Sequence, residues 1–236
     1  MPCWLRNLWC ASSGSLFVAA SLLAQAPQPS PRAFQPAKDD PTLPRVLLIG
    51  DSISIGYHGE VCQALAGKAN VHRPPTNCGP TTNGLKHLAA WLAAPAGKPW
   101  DVIHFNWGLH DLKYMDNRGT LVDVAKGKQQ VPPDQYAKNL AELVRRLKQT
   151  DATLIWCATT PVPPGAQGRI PGDEVKYNAL AEQVMRAEGV AINDLHSFAH
   201  SRLAVWQRPK DVHFHAAGSH ALGQEVARHI LAALAP

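Results

Sequence analysis

The stretch "VLLIGDSISIGYHGEV", residues 46–61, begins as four consecutive apolar residues and breaks at Gly50. Val, Leu and Ile in an unbroken run, with no polar alternation, fit a strand buried on both faces. Such strands belong to parallel sheets covered by helices. The break places Gly50, Asp51 and Ser52 where that strand ends. In open parallel sheets the reactive groups collect beyond the carboxyl ends of the strands. An acid and a hydroxyl at this point therefore raise the question of a site.

Downstream, strand-like and helix-like segments alternate. Residues 69–72, 100–107, 152–160 and 190–194 read as further strands. Residues 58–67, 82–94, 132–150, 172–189 and 216–235 read as helices. The clearest is 132–150, with Pro133 and Asp134 at its start and Leu140, Leu143, Val144 and Leu147 along one face. The alternation predicts an α/β domain of three layers, helix–sheet–helix, around a parallel five-stranded sheet of the flavodoxin-like, doubly wound kind.

The chain has 236 residues, 45% hydrophobic and 17% charged, with a formal net charge of +5. Its Lys and Arg are scattered and form no basic run, which argues against a nucleic-acid partner. Residues 1–26 carry one early cation, Arg6, then a mostly apolar stretch to Leu23, and close on Ala24-Gln25-Ala26. That is the pattern of a secretory signal peptide, and it predicts a secreted or periplasmic protein with no membrane association after removal. Residues 27–44 hold six prolines and read as a disordered linker, so that 45–236 would be the folded domain. Removal of the leader would take Cys3 and Cys10 and leave Cys62, Cys78 and Cys157. An odd number means at least one free thiol, and spacing leaves a Cys62–Cys78 disulfide open.

A serine hydroxyl is a poor nucleophile without a base in hydrogen-bond reach and donors for the developing oxyanion. Gly50-Asp51-Ser52 alone fits either a nucleophile turn or a helix cap. Three other strand-end segments add to it. "NCGPTTNG" (77–84) offers the backbone N–H of Gly79, "NWGLHDLK" (106–113) brings Gly108, His110 and Asp111, and "PKDVHFHAAG" (209–218) brings Asp211 and His213.

In this order the segments resemble the SGNH, or GDSL-type, hydrolase superfamily. Its pattern is Gly-Asp-Ser after strand one, a glycine after strand two, Gly-x-Asn-Asp after strand three and Asp-x-x-His near the C-terminus. The resemblance spans residues 45–235 and implies the SGNH hydrolase fold. It implies Ser52 as nucleophile, His213 as general base and then acid, and the N–H groups of Ser52 and Gly79 as two arms of the oxyanion hole. Two positions depart. His110 stands where the family has its oxyanion asparagine; it is either a substitute donor, sensitive to tautomer and pH, or a structural histidine bonded to Asp111. Lys210 occupies the slot of the orienting acid, so either Asp211, one residue nearer, completes a triad with His213, or the enzyme works with a dyad.

His213, His215 and the nearby His220 form a histidine-rich run, but no fitting third and fourth ligands stand out, and no metal or other cofactor is expected. The long connection 112–131 carries Lys113, Tyr114, Arg118 and Lys126 and is either a specificity loop for a polar or anionic substrate or a solvated excursion. The expectation is thus a secreted serine esterase removing a small acyl group, such as acetyl, from a small-molecule or polysaccharide ester through an acyl-enzyme. The alternatives are a lysophospholipase or thioesterase of the same fold and a non-catalytic carbohydrate-binding module.

Overall fold

In the computed structural model, which describes residues 1, 38–93 and 95–235, strand β1 (Arg45–Ile49) is an interior strand with every residue buried. It is followed by α1 (Ser52–Ala64), β2 (Asn70–His72), α2 (Thr81–Ala93) and β3 (Val102–Phe105). A two-stranded hairpin, β4 (Tyr114–Met115) with β5 (Lys128–Gln129), precedes α3 (Pro133–Leu147). Then come β6 (Thr153–Cys157), α4 (Asp173–Glu188), β7 (Ala191–Asn193), the short α5 (Leu195–His200) and α6 (Leu203–Trp206), and α7 (Ala216–Leu234).

Five strands form one sheet in the order β2-β1-β3-β6-β7, and all pairs are parallel. This is the three-layer arrangement expected from the alternation of apolar runs and amphipathic segments. Helices α1 and α7 pack on each other, as do α2, α3 and α4, and the sheet lies between. Leu47, Ile103, Phe105, Trp156 and Leu222 are among the fully enclosed side chains. Gly223 lets α7 approach α1 closely: a Cβ there would lie 2.5 Å from Glu60 Cβ.

The expected helix 58–67 starts six residues earlier, at Ser52. Asp51 is its N-cap and accepts the Ile53 N–H through Oδ1 at 2.9 Å. A cap satisfies a helix end whatever the propensity of the first turn, and so overrides the β-branched and glycine residues that follow. Residues 38–44, expected in the linker, are fastened to the domain. Asp39 pairs with Arg45 at 2.8 Å and with His72 at 2.6 Å, and Asn70 Nδ2 donates to the Asp40 carbonyl at 2.8 Å. The proposed leader 1–26 and linker residues 27–37 lie outside the described residues, save Met1. Cys62, Cys78 and Cys157 are all free thiols, so Cys62 and Cys78 are not paired here. No helix among the described residues is long and apolar enough to cross a membrane.

Candidate active site

Ser52 is the first residue of α1, half-exposed at the carboxyl end of β1. Its Oγ lies 2.8 Å from His213 Nε2, across 161 positions of sequence. On the other side of the ring, His213 Nδ1 is 2.6 Å from Asp211 Oδ1. A carboxylate only accepts, so Nδ1 carries the proton and Nε2 is left to accept from the serine hydroxyl. The three groups form one continuous hydrogen-bonded chain.

The shortened spacing of acid and histidine is accommodated locally. Lys210 adopts a left-handed conformation, φ 58°, which turns the chain sharply just before the acid. Asp211 Oδ1 then accepts the His213 backbone N–H at 3.1 Å as well as the ring. The loop is closed by the Arg208 N–H donating to the His213 carbonyl at 2.9 Å and by the His215 N–H donating to the Trp206 carbonyl at 2.8 Å. Burial pushes the Asp211 carboxyl up, but the two bonds from His213 and the neighbouring Arg208 outweigh it and hold it below its ordinary range.

The groups expected as oxyanion donors lie on three segments. The Asp51 side chain takes the Ile53 N–H, and among the described residues no acceptor is bonded to the Ser52 N–H. Such an N–H at a helix start favours negative charge. Gly79 sits beyond β2 with φ 65°, a conformation suited to glycine. Its N–H is engaged, donating to Asn77 Oδ1 at 3.0 Å, so a substrate oxygen must share or displace that bond. His110 follows β3. Burial above all lowers its pKa to about 4; the Asp51 carboxylate opposes this, and Lys113, Arg169 and His213 reinforce it. The ring is therefore neutral at pH 7, near enough to Asp51 and His213 to feel both.

Asp111 does not bond His110. It is fully buried, and its Oδ1 accepts the Thr81 N–H at 2.9 Å and the Thr81 hydroxyl at 2.5 Å. It thus ties the His110 turn to the start of α2. On the other side, Arg169 Nε donates to the Leu109 carbonyl at 3.2 Å. The alternative of a histidine fixed by Asp111 is therefore not what the geometry shows. Arg169 and Asn77 carry no spacing signature in the sequence, because each acts through a tertiary or turn contact.

The 112–131 connection is not a free excursion. Lys113 carbonyl accepts from Gln130 N–H at 2.8 Å, and Tyr114 N–H donates to Gly168 at 2.8 Å. Only Lys113 of its basic residues turns inward, to within 3.1 Å of His110 Nδ1; Arg118 and Lys126 are exposed. His215 is exposed at the start of α7 and His220 pairs with Glu60 at 2.6 Å, so neither joins His213. Among the described residues no group of three or more His, Cys, Asp or Glu is placed to hold a metal. A cavity of about 590 Å³ opens beside the histidine loop, between Pro161–Pro164, α5 and Arg208–Lys210, and is not lined by Ser52 or His213.

Comparison with known proteins identifies the family to which this fold belongs. A profile of the GDSL-like lipase/acylhydrolase family matches residues 48–221. The chain belongs to that family and is a carboxylic ester hydrolase. No curated protein sequence matches it. Among solved structures, an acetyl xylan esterase, AlAXEase, superposes with a TM-score of 0.64 at 13% identity, over 79% of this chain and 99% of that one. An acetylxylan esterase from Geobacillus stearothermophilus gives 0.63 at 17%, over 79% and 94%. A lipase/acylhydrolase from Enterococcus faecalis gives 0.59 at 19%, over 80% and 95%. At such identities the likeness is one of fold.

Proposed function

We propose that Ser52, His213 and Asp211 act as a nucleophile–base–acid triad in ester hydrolysis. The observation that carries this reading is the continuous chain from Ser52 Oγ through both ring nitrogens of His213 to Asp211 Oδ1, at 2.8 and 2.6 Å. Ser52 Oγ attacks the ester carbonyl while its proton passes to His213 Nε2. The carbonyl π pair moves to oxygen, and the Ser52 and Gly79 N–H groups and His110 hold that charge. Collapse of the intermediate breaks the bond to the alcohol, which leaves with the proton from His213. Water, deprotonated by the same nitrogen, then attacks the acyl-serine and releases the acid. Asp211 stays ionised throughout and fixes the ring. Each oxyanion donor is worth about 10²–10³-fold in such reactions.

The acyl group is small and the alcohol a carbohydrate in this reading. Support comes from the acetylxylan esterases among the structural neighbours and from the half-exposed position of Ser52 at an open sheet edge. Export is proposed on the leader-like composition of residues 1–26, and N-terminal sequencing of the protein outside the cytoplasm would test it. The continuous hydrogen-bond chain favours this reading over the non-catalytic alternative, which His110 and the displaced acid had left open.

Hydrolysis of p-nitrophenyl acetate and of acetylated xylo-oligosaccharide by the wild type and by Ser52→Ala tests the reading. The expected result is turnover of both, lost by about 10³-fold or more in the variant with its thermal midpoint unchanged. Equal rates would overturn the triad. Turnover of the aryl acetate without the sugar ester would overturn the carbohydrate reading alone.

A further inference from the structure

We propose that Lys113 is a positioning residue for the oxyanion hole: by donating to His110 Nδ1 it keeps the ring proton on Nε2. The imidazole then presents one fixed N–H, as an asparagine amide would. The inference rests on the reading of His110 as the third oxyanion donor.

The argument is one of donors and acceptors. Lys113 Nζ lies 3.1 Å from His110 Nδ1. An ammonium has three donors and no acceptor, so the ring nitrogen facing it must be the one with a lone pair. Neutral imidazole has one proton, which is then on Nε2. The imidazolium is excluded by the same contact, because it would set an Nδ1–H against an N–H of Lys113. A free histidine in this position would divide its population between two tautomers, one of which offers no donor on Nε2. The charged groups acting on the ring are Asp51, which favours protonation, and Lys113, Arg169 and His213, which oppose it.

The cation itself is held. Its backbone forms the base of the β4–β5 hairpin, through the Gln130 N–H bond to the Lys113 carbonyl at 2.8 Å and the Val131 N–H bond to the Asp111 carbonyl at 2.9 Å. The preceding turn is closed by the Leu112 N–H donating to the Gly108 carbonyl at 3.0 Å. His110 and Lys113, three residues apart, therefore sit on one braced turn. The side chain is half-buried and makes no other hydrogen bond among the described residues. In this arrangement the cation serves the ring rather than a distant surface partner.

A double-mutant cycle with a spectroscopic readout tests this. Lys113→Met keeps the length of the side chain and removes its donors; Lys113→Arg keeps a donor. His110→Asn supplies an amide that has no tautomers. At pH 8 Lys113→Met is expected to lower kcat/KM for p-nitrophenyl acetate by about tenfold or more, as weakening one oxyanion donor should. In the His110→Asn background the same change is expected to have less than about a twofold effect, and Lys113→Arg is expected to recover part of the loss. In ring-¹⁵N spectra, His110 is expected to show a protonated Nε2 and a bare Nδ1 in the wild type, and a mixture in Lys113→Met. A protonated Nδ1 in the wild type would overturn the proposal. So would an equal loss from Lys113→Met in both backgrounds, which marks a structural role, or no loss in either. An unchanged kcat/KM on His110→Ala would overturn the reading on which it rests, and is seen in a separate variant.

Discussion

Asp211 Oδ1 receives two bonds from one residue, the ring and the backbone N–H of His213. The single oxygen thus sets both the tautomer of the base and the shape of its turn. Asp211→Asn can still accept both bonds through its amide oxygen, but it loses the charge that steadies the protonated ring, and an amide turned the other way would drive the proton off Nδ1. Loss of the orienting carboxylate lowers turnover by about 10⁴-fold in a comparable triad. The Asp211 side chain is 37% exposed, and water can take over part of its role. The expected loss in kcat is therefore nearer about 10²–10³-fold, with KM little changed, read from steady-state kinetics at pH 8. A loss below about threefold would show that His213 is oriented by other groups. Of these residues, Ser52 is legible in the sequence because it sits in a short motif at a strand end, and Asp211 and His213 because they share a short motif just before the last helix. The partnership of His110 with Lys113 is not, because three-residue spacing in a turn does not say which side chains face each other.

The two helices that carry the nucleophile and follow the base are in direct contact, which links packing to chemistry. Ser52 opens α1, and His213 lies three residues before α7. A Cβ on Gly223 would meet Glu60 Cβ at 2.5 Å and the Tyr57 carbonyl at 3.1 Å, both close to the α1 backbone. Neither can swing aside, so Gly223→Ala must separate the helices. The expected cost is about 1–3 kcal/mol in chemical denaturation, together with a fall in kcat from a lengthened Ser52–His213 contact. Unchanged stability and rate would mean that α7 rides over α1 without strain. At this scale the strands and the long helices are readable from periodicity, and their ends agree within a few residues. The start of α1 is not: Ile53, Ile55, Gly56 and Gly59 all disfavour a helix, and the Asp51 cap with tertiary burial decides otherwise. The β4–β5 hairpin and α5 and α6 are not readable either. They are too short for a periodic signal and are held by contacts such as the Ser197 N–H bond to Asp194 Oδ1 at 3.0 Å.

Across the whole molecule, buried titratable groups set how stability changes with pH. Burial lowers His58 to about 4, with the charges of Arg73 and His72 adding to it, and lowers His104 to about 3, with His229 adding to it. His110 falls to about 4 in the same way. Each of these histidines binds its proton more readily in the unfolded chain, so their stability is present above about pH 6.5 and is lost as pH falls towards 4. Asp111 runs the other way: burial raises it to about 7 against the two Thr81 bonds, so its contribution weakens as pH rises from about 4 to 7. Three groups of comparable shift outweigh one. The thermal midpoint is expected to fall as pH drops from 7 to 4, and Asp111→Asn is expected to steepen that fall; a flat or rising midpoint would contradict it. This balance, unlike the fold, depends on which histidines the core encloses, and eleven histidines scattered along the chain do not reveal that. The central claim is that one serine, made nucleophilic by His213, carries the chemistry, and covalent labelling with an organophosphonate tests it most directly. Intact mass and peptide mapping should show one adduct, on Ser52, whose formation slows by about 10³-fold or more in His213→Ala. An adduct on another serine, or labelling of Ser52 at the same rate without His213, would contradict the account.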